Sequence, residues 1–255
     1  EVRNGVVRIT INRPEVYNAF RNQTLEELID ALHAADEEKS ANVMVLTGAG
    51  DKAFCTGGDQ KVHNNESGLY GPRGTIGMPI EEMQTALRDL RKVSIARVQG
   101  FAIGGGNVFA TLCDLTIASD KAQFGQVGPK VGSVDPGWGT AYLARIVGEK
   151  KAREIWFLCR RYSAADAERM GLVNKVVPHD QLDAEVDQWC KEINEMSPTA
   201  LAIAKRSFNA DSENIRGISF MGIQTVKHYY QTEESREGVK AFNEKRKPDF
   251  KKHAT

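Results

Sequence analysis

Short strand patterns alternate with amphipathic helix patterns through the first 120 residues, and this order constrains the fold more than any other feature of the sequence. Residues 6–11 and 43–47 are β-rich runs bounded by polar residues and glycine, which is typical of buried strands. Between them, Thr24 and Glu27 have the spacing of a capping box. Four apolar residues then repeat at helical spacing: Leu25, Leu28, Ile29 and Leu32. Alternation of this kind predicts an α/β fold.

The same alternation recurs once more before the pattern becomes helical. A helix pattern near residues 80–90 precedes a strand at 94–98, a glycine-rich turn with a short helix, and a strand at 115–118. After about residue 140 one short strand candidate remains, at 173–177. The helical patterns of this part cover residues 149–159, 163–170, 180–195 and 198–209. Linkers and repeats are absent, so we predict one structural domain with a core at 1–195 and a helical C-terminal region at 196–255.

Charge and cysteine usage exclude several classes of partner. Lys plus Arg and Asp plus Glu each total 34, so the net charge is zero. We therefore predict neither a nucleic-acid nor a membrane partner, and the short basic run 245–252 is typical of a solvated chain end. The four cysteines have no CxxC spacing, which predicts reduced thiols and no metal site. With no targeting segment visible after Glu1, we expect a cytoplasmic protein.

Two glycine-rich turns, each following a strand pattern, are the first candidates for chemistry. One is Gly104-Gly105-Gly106, and the other is Thr56-Gly57-Gly58-Asp59-Gln60. Neither has the GxGxxG or GK[ST] spacing of a nucleotide site, and either could simply be a tight turn. Two such turns could also donate two N–H groups to one oxygen, which is what an oxyanion hole requires.

Several spaced segments together resemble the crotonase (enoyl-CoA hydratase/isomerase) superfamily. They are Arg13-Pro-x-x-x-Asn18-Ala, Ala53-Phe-Cys-Thr-Gly-Gly-Asp59, Gly100-x-Ala-Ile-Gly-Gly-Gly106 and Cys113-Asp-Leu-Thr-Ile-Ala118. The resemblance implies a spiral of ββα units, a helical C-terminal trimerisation region, and a homo-oligomer that is a trimer or a dimer of trimers. It also implies an acyl-CoA thioester substrate whose thioester oxygen is held by the N–H groups of Gly58 and Gly105.

The chain departs from the hydratases of that superfamily at both catalytic glutamates. The matching positions are Val108, two residues after the glycine triplet, and Gly128, two residues after the Gln of Phe-Gly-Gln. Adding water to a double bond needs acid and base groups there. The sequence therefore argues against simple enoyl-CoA hydration.

A closer resemblance covers residues 124–139 and 144–156. These segments are similar to the subgroup that contains 2-ketocyclohexanecarboxyl-CoA hydrolase, which opens a β-keto ring, and 1,4-dihydroxy-2-naphthoyl-CoA synthase, which closes one by Claisen condensation. Residues 70–83 and 132–137 resemble the hydrolase more. The synthase also tends to carry Arg at the position of Tyr17, and its bicarbonate-using form carries Thr at that of Val127.

The hydrolase is thus the favoured reading and the synthase the alternative. Bicarbonate is disfavoured by Val127, although Gln126, Gly128 and Trp156 match the synthase and leave that question open. No cofactor is expected beyond the CoA moiety of the substrate. Further alternatives are an enoyl-CoA hydratase/isomerase-like protein and a non-catalytic acyl-CoA binder. A binder would also lack the hydratase glutamates.

In the hydrolase reading the resemblance assigns four side chains to catalysis. Asp135 activates water or moves the proton, Ser133 orients the keto oxygen, Tyr230 donates to a substrate oxygen, and Tyr70 closes over the acyl group from the loop at residues 61–79. Each has a plainer reading, as a turn residue, a core tyrosine or a loop tyrosine. His63 and His228 lie near the lid loop and the tyrosine, so a minor part is open to them, but the sequence does not support one. The residues predicted to contact CoA are Thr56, Gly57, Asp59, Gln60, Phe101 and Lys245.

Overall fold

The computed structural model describes residues 1–63 and 67–253, and within them the chain forms ten strands and ten α-helices. The strands are β1 (Val2–Arg3), β2 (Val6–Ile11), β3 (Val43–Gly48), β4 (Ala53–Cys55), β5 (Val93–Val98), β6 (Phe101–Ile103), β7 (Leu115–Ser119), β8 (Gln123–Gly125), β9 (Tyr162–Ser163) and β10 (Lys175–Val177). The helices are α1 (Asn22–Glu37), α2 (Ile80–Asp89), α3 (Gly105–Leu112), α4 (Leu143–Val147), α5 (Glu149–Leu158), α6 (Ala164–Arg169), α7 (Leu182–Asn194), α8 (Pro198–Asp211), α9 (Asn214–Tyr229) and α10 (Glu233–Asn243). Four short 3₁₀ helices also occur: Pro14–Val16, Gly128–Lys130, His179–Gln181 and Phe250–Lys252. Residues Trp138–Tyr142 form one π-helical turn.

The strands form two sheets that the chain visits in turn. The larger sheet has the order β1-β2-β3-β5-β7-β10 and the smaller one β4-β6-β8-β9. From β3 to β8, each successive pair of strands contributes one strand to the larger sheet and one to the smaller sheet. Each new strand pairs in parallel with the strand of the previous pair in its sheet. This repetition is the predicted ββα spiral, and it confirms the α/β fold.

The larger sheet is buried on both faces at its centre. All six residues of β3 are buried, because parallel neighbours flank the strand and helices cover both faces. Alternate residues of β3 face opposite sides: Met44 and Leu46 join the main core, whereas Val43 and Val45 pack in a second cluster with Leu182 of α7. The continuous apolar run in the sequence is therefore explained by two-sided burial.

The start of α1 differs from the sequence prediction. Thr24 is not the N-cap; the helix begins at Asn22, and the N-cap is Arg21. The chain is fixed immediately before this point, since Phe20 pairs with Gly58 in an isolated parallel bridge, and the helix starts as soon as that constraint ends. The Thr24 hydroxyl still helps the helix start, because it accepts the Arg21 N–H at 3.4 Å.

The C-terminal third is helical, as predicted, and α8 is held to the larger sheet by a partly buried ion pair. The Lys205 ammonium lies 2.6 Å from the Asp114 carboxylate and 2.9 Å from the Lys92 carbonyl oxygen. Asp114 also accepts from the backbone and side chain of Ser94, both at 2.7 Å.

The four cysteines are free and buried. No helix in the described part of the chain is long and apolar enough to cross a membrane.

Candidate active site

The two glycine-rich turns meet at one edge of the smaller sheet. They follow β4 and β6, which are parallel neighbours, so their C-terminal ends lie side by side. A Cβ atom added to Gly57 would lie 3.0 Å from the Gly105 nitrogen, and Gly57 has a φ of +86°, which favours glycine. The turn that carries Gly58 and the start of α3 are therefore in contact.

The N–H groups of Gly58 and Gly105 are available for a ligand. The Phe20 N–H donates to the Gly57 oxygen, and the Asp59 N–H donates to the Phe20 oxygen, each at 2.9 Å. These two bonds use the residues on either side of Gly58 and leave the Gly58 N–H itself unused. Gly105 is the first residue of α3, where an N–H has no acceptor within the helix. Among the described residues neither group has an acceptor. Two such donors, one at a helix N-terminus, suit an oxygen that gains negative charge.

Polar contacts fix the turn that carries Gly58. Asp59 is buried and accepts from the Arg13 guanidinium at 3.0 Å and from the Lys61 N–H at 3.1 Å. The Thr56 hydroxyl donates to the Tyr17 carbonyl oxygen at 3.2 Å, and the Gln60 amide donates to the Gly58 oxygen at 3.1 Å. In this structure these side chains hold the backbone of the turn in place.

Beside this turn lies a cluster of hydroxyl groups from three distant segments. The Gln60 amide donates to the Tyr70 hydroxyl at 2.8 Å, and the Tyr230 and Ser133 hydroxyls are 2.7 Å apart. The two tyrosine rings are 6.0 Å apart, edge to face. Burial raises the pKa of Tyr70 to about 12 and that of Tyr230 well above its usual value. Both phenols therefore stay protonated and can donate at neutral pH.

Asp135 completes the site and has an unusual proton affinity. Its two carboxylate oxygens accept the Gln84 amide at 2.9 Å and the Gly139 N–H at 3.1 Å. The side chain is half-buried, and its desolvation raises the pKa to about 6 although both hydrogen bonds lower it. The charge of Asp135 also raises the pKa of Tyr230, after the larger effects of burial and of Tyr70.

Carboxylates are absent where the hydratases have them. Val108 is fully buried in the main core. A Cβ atom on Gly128 would lie 2.4 Å from the Ser133 carbonyl oxygen and 2.9 Å from the Trp156 ring, so the backbone leaves no room for a side chain. The packing around Gly128 thus excludes a glutamate at this position.

The other residues expected to contact CoA lie around this edge. The Phe101 ring faces Tyr17 at 6.2 Å and the Arg161 guanidinium at 5.0 Å. Lys245 is exposed just beyond α10, whose last residue, Asn243, donates to the Gln60 oxygen at 3.3 Å. The end of α10 therefore lies next to the Gly58 turn. Of the loop at 61–79, residues 64–66 lie outside the described residues, and the rest contains no helix or strand.

Sequence reasoning missed two polar residues of the site, Gln84 and His63. Gln84 is fully buried on α2, between Ile80 and Leu87 of the apolar face, and a polar residue on such a face was the available signal. His63 is buried against Tyr70 and Tyr230, and nothing in its sequence neighbourhood indicates this. No group of side chains able to hold a metal occurs in residues 1–63 and 67–253.

Comparison with known proteins agrees with this architecture. The model of the enoyl-CoA hydratase/isomerase family matches residues 1–253. The chain belongs to the enoyl-CoA hydratase/isomerase family. Among solved members, an enoyl-CoA hydratase from Bacillus anthracis is 31% identical, with 96% of this chain and 95% of that one covered and a TM-score of 0.72. A carnitinyl-CoA hydratase from Mycobacterium avium is 30% identical, with 98% and 96% covered and a TM-score of 0.84. An enoyl-CoA hydratase/isomerase from Pseudoalteromonas atlantica is 26% identical, with 98% and 97% covered and a TM-score of 0.87.

Proposed function

We propose that this family member hydrolyses a carbon–carbon bond of a cyclic β-keto acyl-CoA, converting 2-ketocyclohexanecarboxyl-CoA to pimeloyl-CoA. The observation that carries the proposal is the pairing of two free N–H groups with Asp135, whose pKa is about 6, in a site that lacks both hydratase carboxylates. Such a site can stabilise an enolate and move one proton, but it cannot supply the two carboxyl groups of the hydratases.

The first step is addition of water to the ring ketone. At pH 7 Asp135 is mainly ionised, so it accepts a proton from water as the water oxygen bonds to the ketone carbon. Negative charge then develops on the former ketone oxygen. The Ser133 and Tyr230 hydroxyls, 2.7 Å apart, donate to that oxygen.

The second step breaks the bond between the former ketone carbon and the α-carbon. The electron pair moves to the α-carbon and is delocalised onto the thioester oxygen, which Gly58 and Gly105 hold with their N–H groups. The tetrahedral carbon becomes a carboxyl group. Asp135 returns its proton to the α-carbon, so the net change is the addition of one water molecule.

The ring-closing synthase is the competing reaction, since it forms a similar enolate. Two contacts favour the hydrolase over the bicarbonate-using form. The aliphatic side chain of Val127 lies beside Gly104, with its methyl group 3.5 Å from the position of an added Cβ atom. The Trp156 indole N–H is already donated to the Gly139 carbonyl oxygen. Neither group is thus a free donor for a bicarbonate ion.

The position of the acyl-CoA follows from the same geometry. With the thioester at Gly58 and Gly105, the acyl group extends toward Tyr70 and Ser133, and the CoA moiety extends over the surface near Thr56 and Phe101. The exposed Lys245 ammonium then lies on the side of the CoA phosphates. We include the predicted homo-oligomer, a trimer or a dimer of trimers, in the proposal.

Product masses test the proposed reaction. The purified protein is incubated with 2-ketocyclohexanecarboxyl-CoA and, separately, with o-succinylbenzoyl-CoA in the presence and absence of bicarbonate. We expect the first substrate to gain one water and yield pimeloyl-CoA. Loss of water from the second substrate, with no reaction of the first, would replace the hydrolase by the synthase.

An Asp135→Asn variant separates catalysis from binding. It keeps the side-chain shape but cannot accept the proton, so we expect turnover to fall at least about a thousandfold while the Kd for pimeloyl-CoA stays within about threefold. A wild-type protein that binds the thioester but turns over neither substrate would favour the non-catalytic binder.

A further inference from the structure

His63 is the one imidazole placed among the proposed catalytic groups in the described part of the chain. Its ring stands edge-on to Tyr70, with ring centres 4.5 Å apart, and to Tyr230, with centres 5.2 Å apart. The side chain is 7% exposed, and its Nε2 atom is buried without a hydrogen-bond partner. A buried polar atom left without a partner is energetically unfavourable. This nitrogen therefore has unused capacity for a hydrogen bond beside the proposed catalytic hydroxyl groups.

The place of His63 in the site defines what it can reach. A Cβ atom added to Gly58 would lie 3.2 Å from the Tyr70 ring, so Tyr70 lies directly over the oxyanion turn. Tyr230 also contacts the imidazole, lies 6.0 Å from Tyr70 between ring centres, and is bonded to Ser133. His63 thus contacts both the tyrosine over the oxyanion turn and the tyrosine of the hydroxyl pair. An acyl group that extends from the turn to the hydroxyl pair follows the two tyrosines that pack against the imidazole.

The surroundings of His63 also define its charge. Burial lowers its pKa to about 4, so the ring is neutral in the ligand-free protein at pH 7. A neutral imidazole has one donor and one acceptor nitrogen. Nε2 is closed off from solvent, and both tyrosine rings pack against the imidazole, so a ligand reaches Nε2 when a neighbouring side chain moves. Tyr70 is the candidate to move, because it belongs to a loop without regular structure, whereas Tyr230 directly follows α9.

We propose that His63 is a specificity-determining residue, whose Nε2–H donates to a second oxygen function of the acyl group. In the proposed reaction this oxygen is the ring ketone of the substrate and then the carboxylate of the opened product. The inference rests on the proposed function for the identity of the acyl group. It goes further in assigning a selective contact for acyl groups that carry a second oxygen function besides the thioester.

Two seven-carbon thioesters isolate this contact without any turnover. Pimeloyl-CoA ends in a carboxylate and heptanoyl-CoA in a methyl group. By calorimetric titration we expect the wild-type protein to bind pimeloyl-CoA at least tenfold more tightly, which is about 1.4 kcal/mol. His63→Phe keeps an aromatic ring but has no donor, so this preference should fall below twofold while the Kd for heptanoyl-CoA stays unchanged.

Two further variants keep the test decisive. His63→Gln retains an N–H donor at similar reach and should restore part of the preference. His33→Phe removes an exposed imidazole from α1 and should leave both Kd values unaltered. A wild-type protein without preference, or a His63→Phe variant that keeps it or weakens both ligands equally, would overturn the inference.

Failure of this inference is distinguishable from failure of the proposed function. If no ring opening occurs but His63→Phe abolishes the preference for pimeloyl-CoA, the hydrolase is wrong and the His63 contact stands. If ring opening occurs and the His63→Phe variant still discriminates between the two thioesters, the His63 contact alone is wrong.

Discussion

Asp135 shows how a single side chain acquires its reactivity from its neighbours. Burial alone would raise the pKa of its carboxyl group further than is found, and the donors Gln84 and Gly139 lower it again to about 6. A base with this pKa is mostly ionised at pH 7 yet returns its proton readily. The hydrogen bonds to Asp135 thus set the pH at which the proposed reaction proceeds.

The acid limb of the pH profile should depend on Gln84. Because the proposed base is the ionised form, we expect kcat/KM for ring opening to fall as the pH decreases through about 6. Gln84→Met removes an N–H donor from the carboxylate, which disfavours the ionised form. The limb should then move upward by about one pH unit, as expected for loss of one charged hydrogen bond. Steady-state rates from pH 5 to 9 measure this shift.

Glu81→Gln is the matched control for the Gln84 prediction. Glu81 lies on the same helix and is also buried, and its pKa is raised by burial, but it bonds to Thr75 instead of Asp135. Its replacement should leave the acid limb in place. If the acid limb moved in Glu81→Gln and stayed in place in Gln84→Met, the titrating group would be Glu81 and not Asp135.

Residues of the site differ in how far the sequence could predict them. Gly58, Gly105, Ser133 and Asp135 occur within local segments whose resemblance to a family is readable without a structure. Gln84 contacts Asp135 across 51 residues, and no local pattern encodes that contact. The roles assigned to all of these residues stay predictions until the experiments above are done.

At the scale of elements, the position of the oxyanion turns depends on how closely α3 approaches β4. A Cβ atom on Gly106 would lie 2.0 Å from the Cys55 carbonyl oxygen, so the helix start rests on the strand backbone. The free Gly105 N–H is part of the same helix turn. Packing and the geometry of the proposed oxyanion hole are therefore coupled through one glycine.

Gly106→Ala should consequently reduce both stability and activity. The added methyl group has to push α3 off the backbone of β4, and we expect about 2–4 kcal/mol of lost stability, as for overpacking of a rigid site. In the remaining folded protein kcat should fall at least tenfold, because the Gly105 N–H moves. Chemical denaturation and ring-opening rates give the two values.

Gly217→Ala provides the contrast for this substitution. Gly217 is inside α9, and an added Cβ atom would meet nothing within 4 Å. Alanine is a better helix former by about 1 kcal/mol, so this variant should be as stable as the wild type or more so, with unchanged kcat. Similar losses from both glycines would contradict the role of the α3–β4 contact.

Elements were predictable from sequence where one local signal decided them. The strands β2, β3, β5 and β7 follow from β-rich runs, and α2 follows from its apolar spacing. The predicted N-cap of α1 was wrong by three residues, since the Phe20–Gly58 bridge, which no local pattern contains, decides where the helix begins.

For the whole molecule, the Lys205–Asp114 pair joins the C-terminal helices to the larger sheet. Lys205→Met would leave the Asp114 carboxylate, partly buried, without its cation. We expect a loss of about 2–3 kcal/mol in the free energy of unfolding by urea. Arg153→Met breaks an exposed pair with Glu149 and should change stability by less than about 0.5 kcal/mol. Equal losses of stability in Lys205→Met and Arg153→Met would show that the Lys205–Asp114 pair has no special part in the packing of α8 on the sheet.

The helical region also exposes large apolar side chains that the single chain does not cover. Phe208 on α8 is 78% exposed, Met221 on α9 is 77% exposed, and Phe157 on α5 is 70% exposed. Exposed apolar side chains of this size are typical of an interface with another chain when they form a patch. This agrees with the oligomer that the family resemblance implies.

We therefore expect light scattering after gel filtration to give a mass of three or six chains. Phe208→Glu combined with Met221→Glu places charges on this surface and should produce smaller species at the same concentration, because burying an unpaired carboxylate is strongly unfavourable. Val2→Glu, which alters an exposed apolar residue on the edge strand β1, should leave the mass unchanged. A monomeric wild-type protein at micromolar concentration would contradict the predicted assembly. The exposed apolar side chains would then face solvent and would not form an interface.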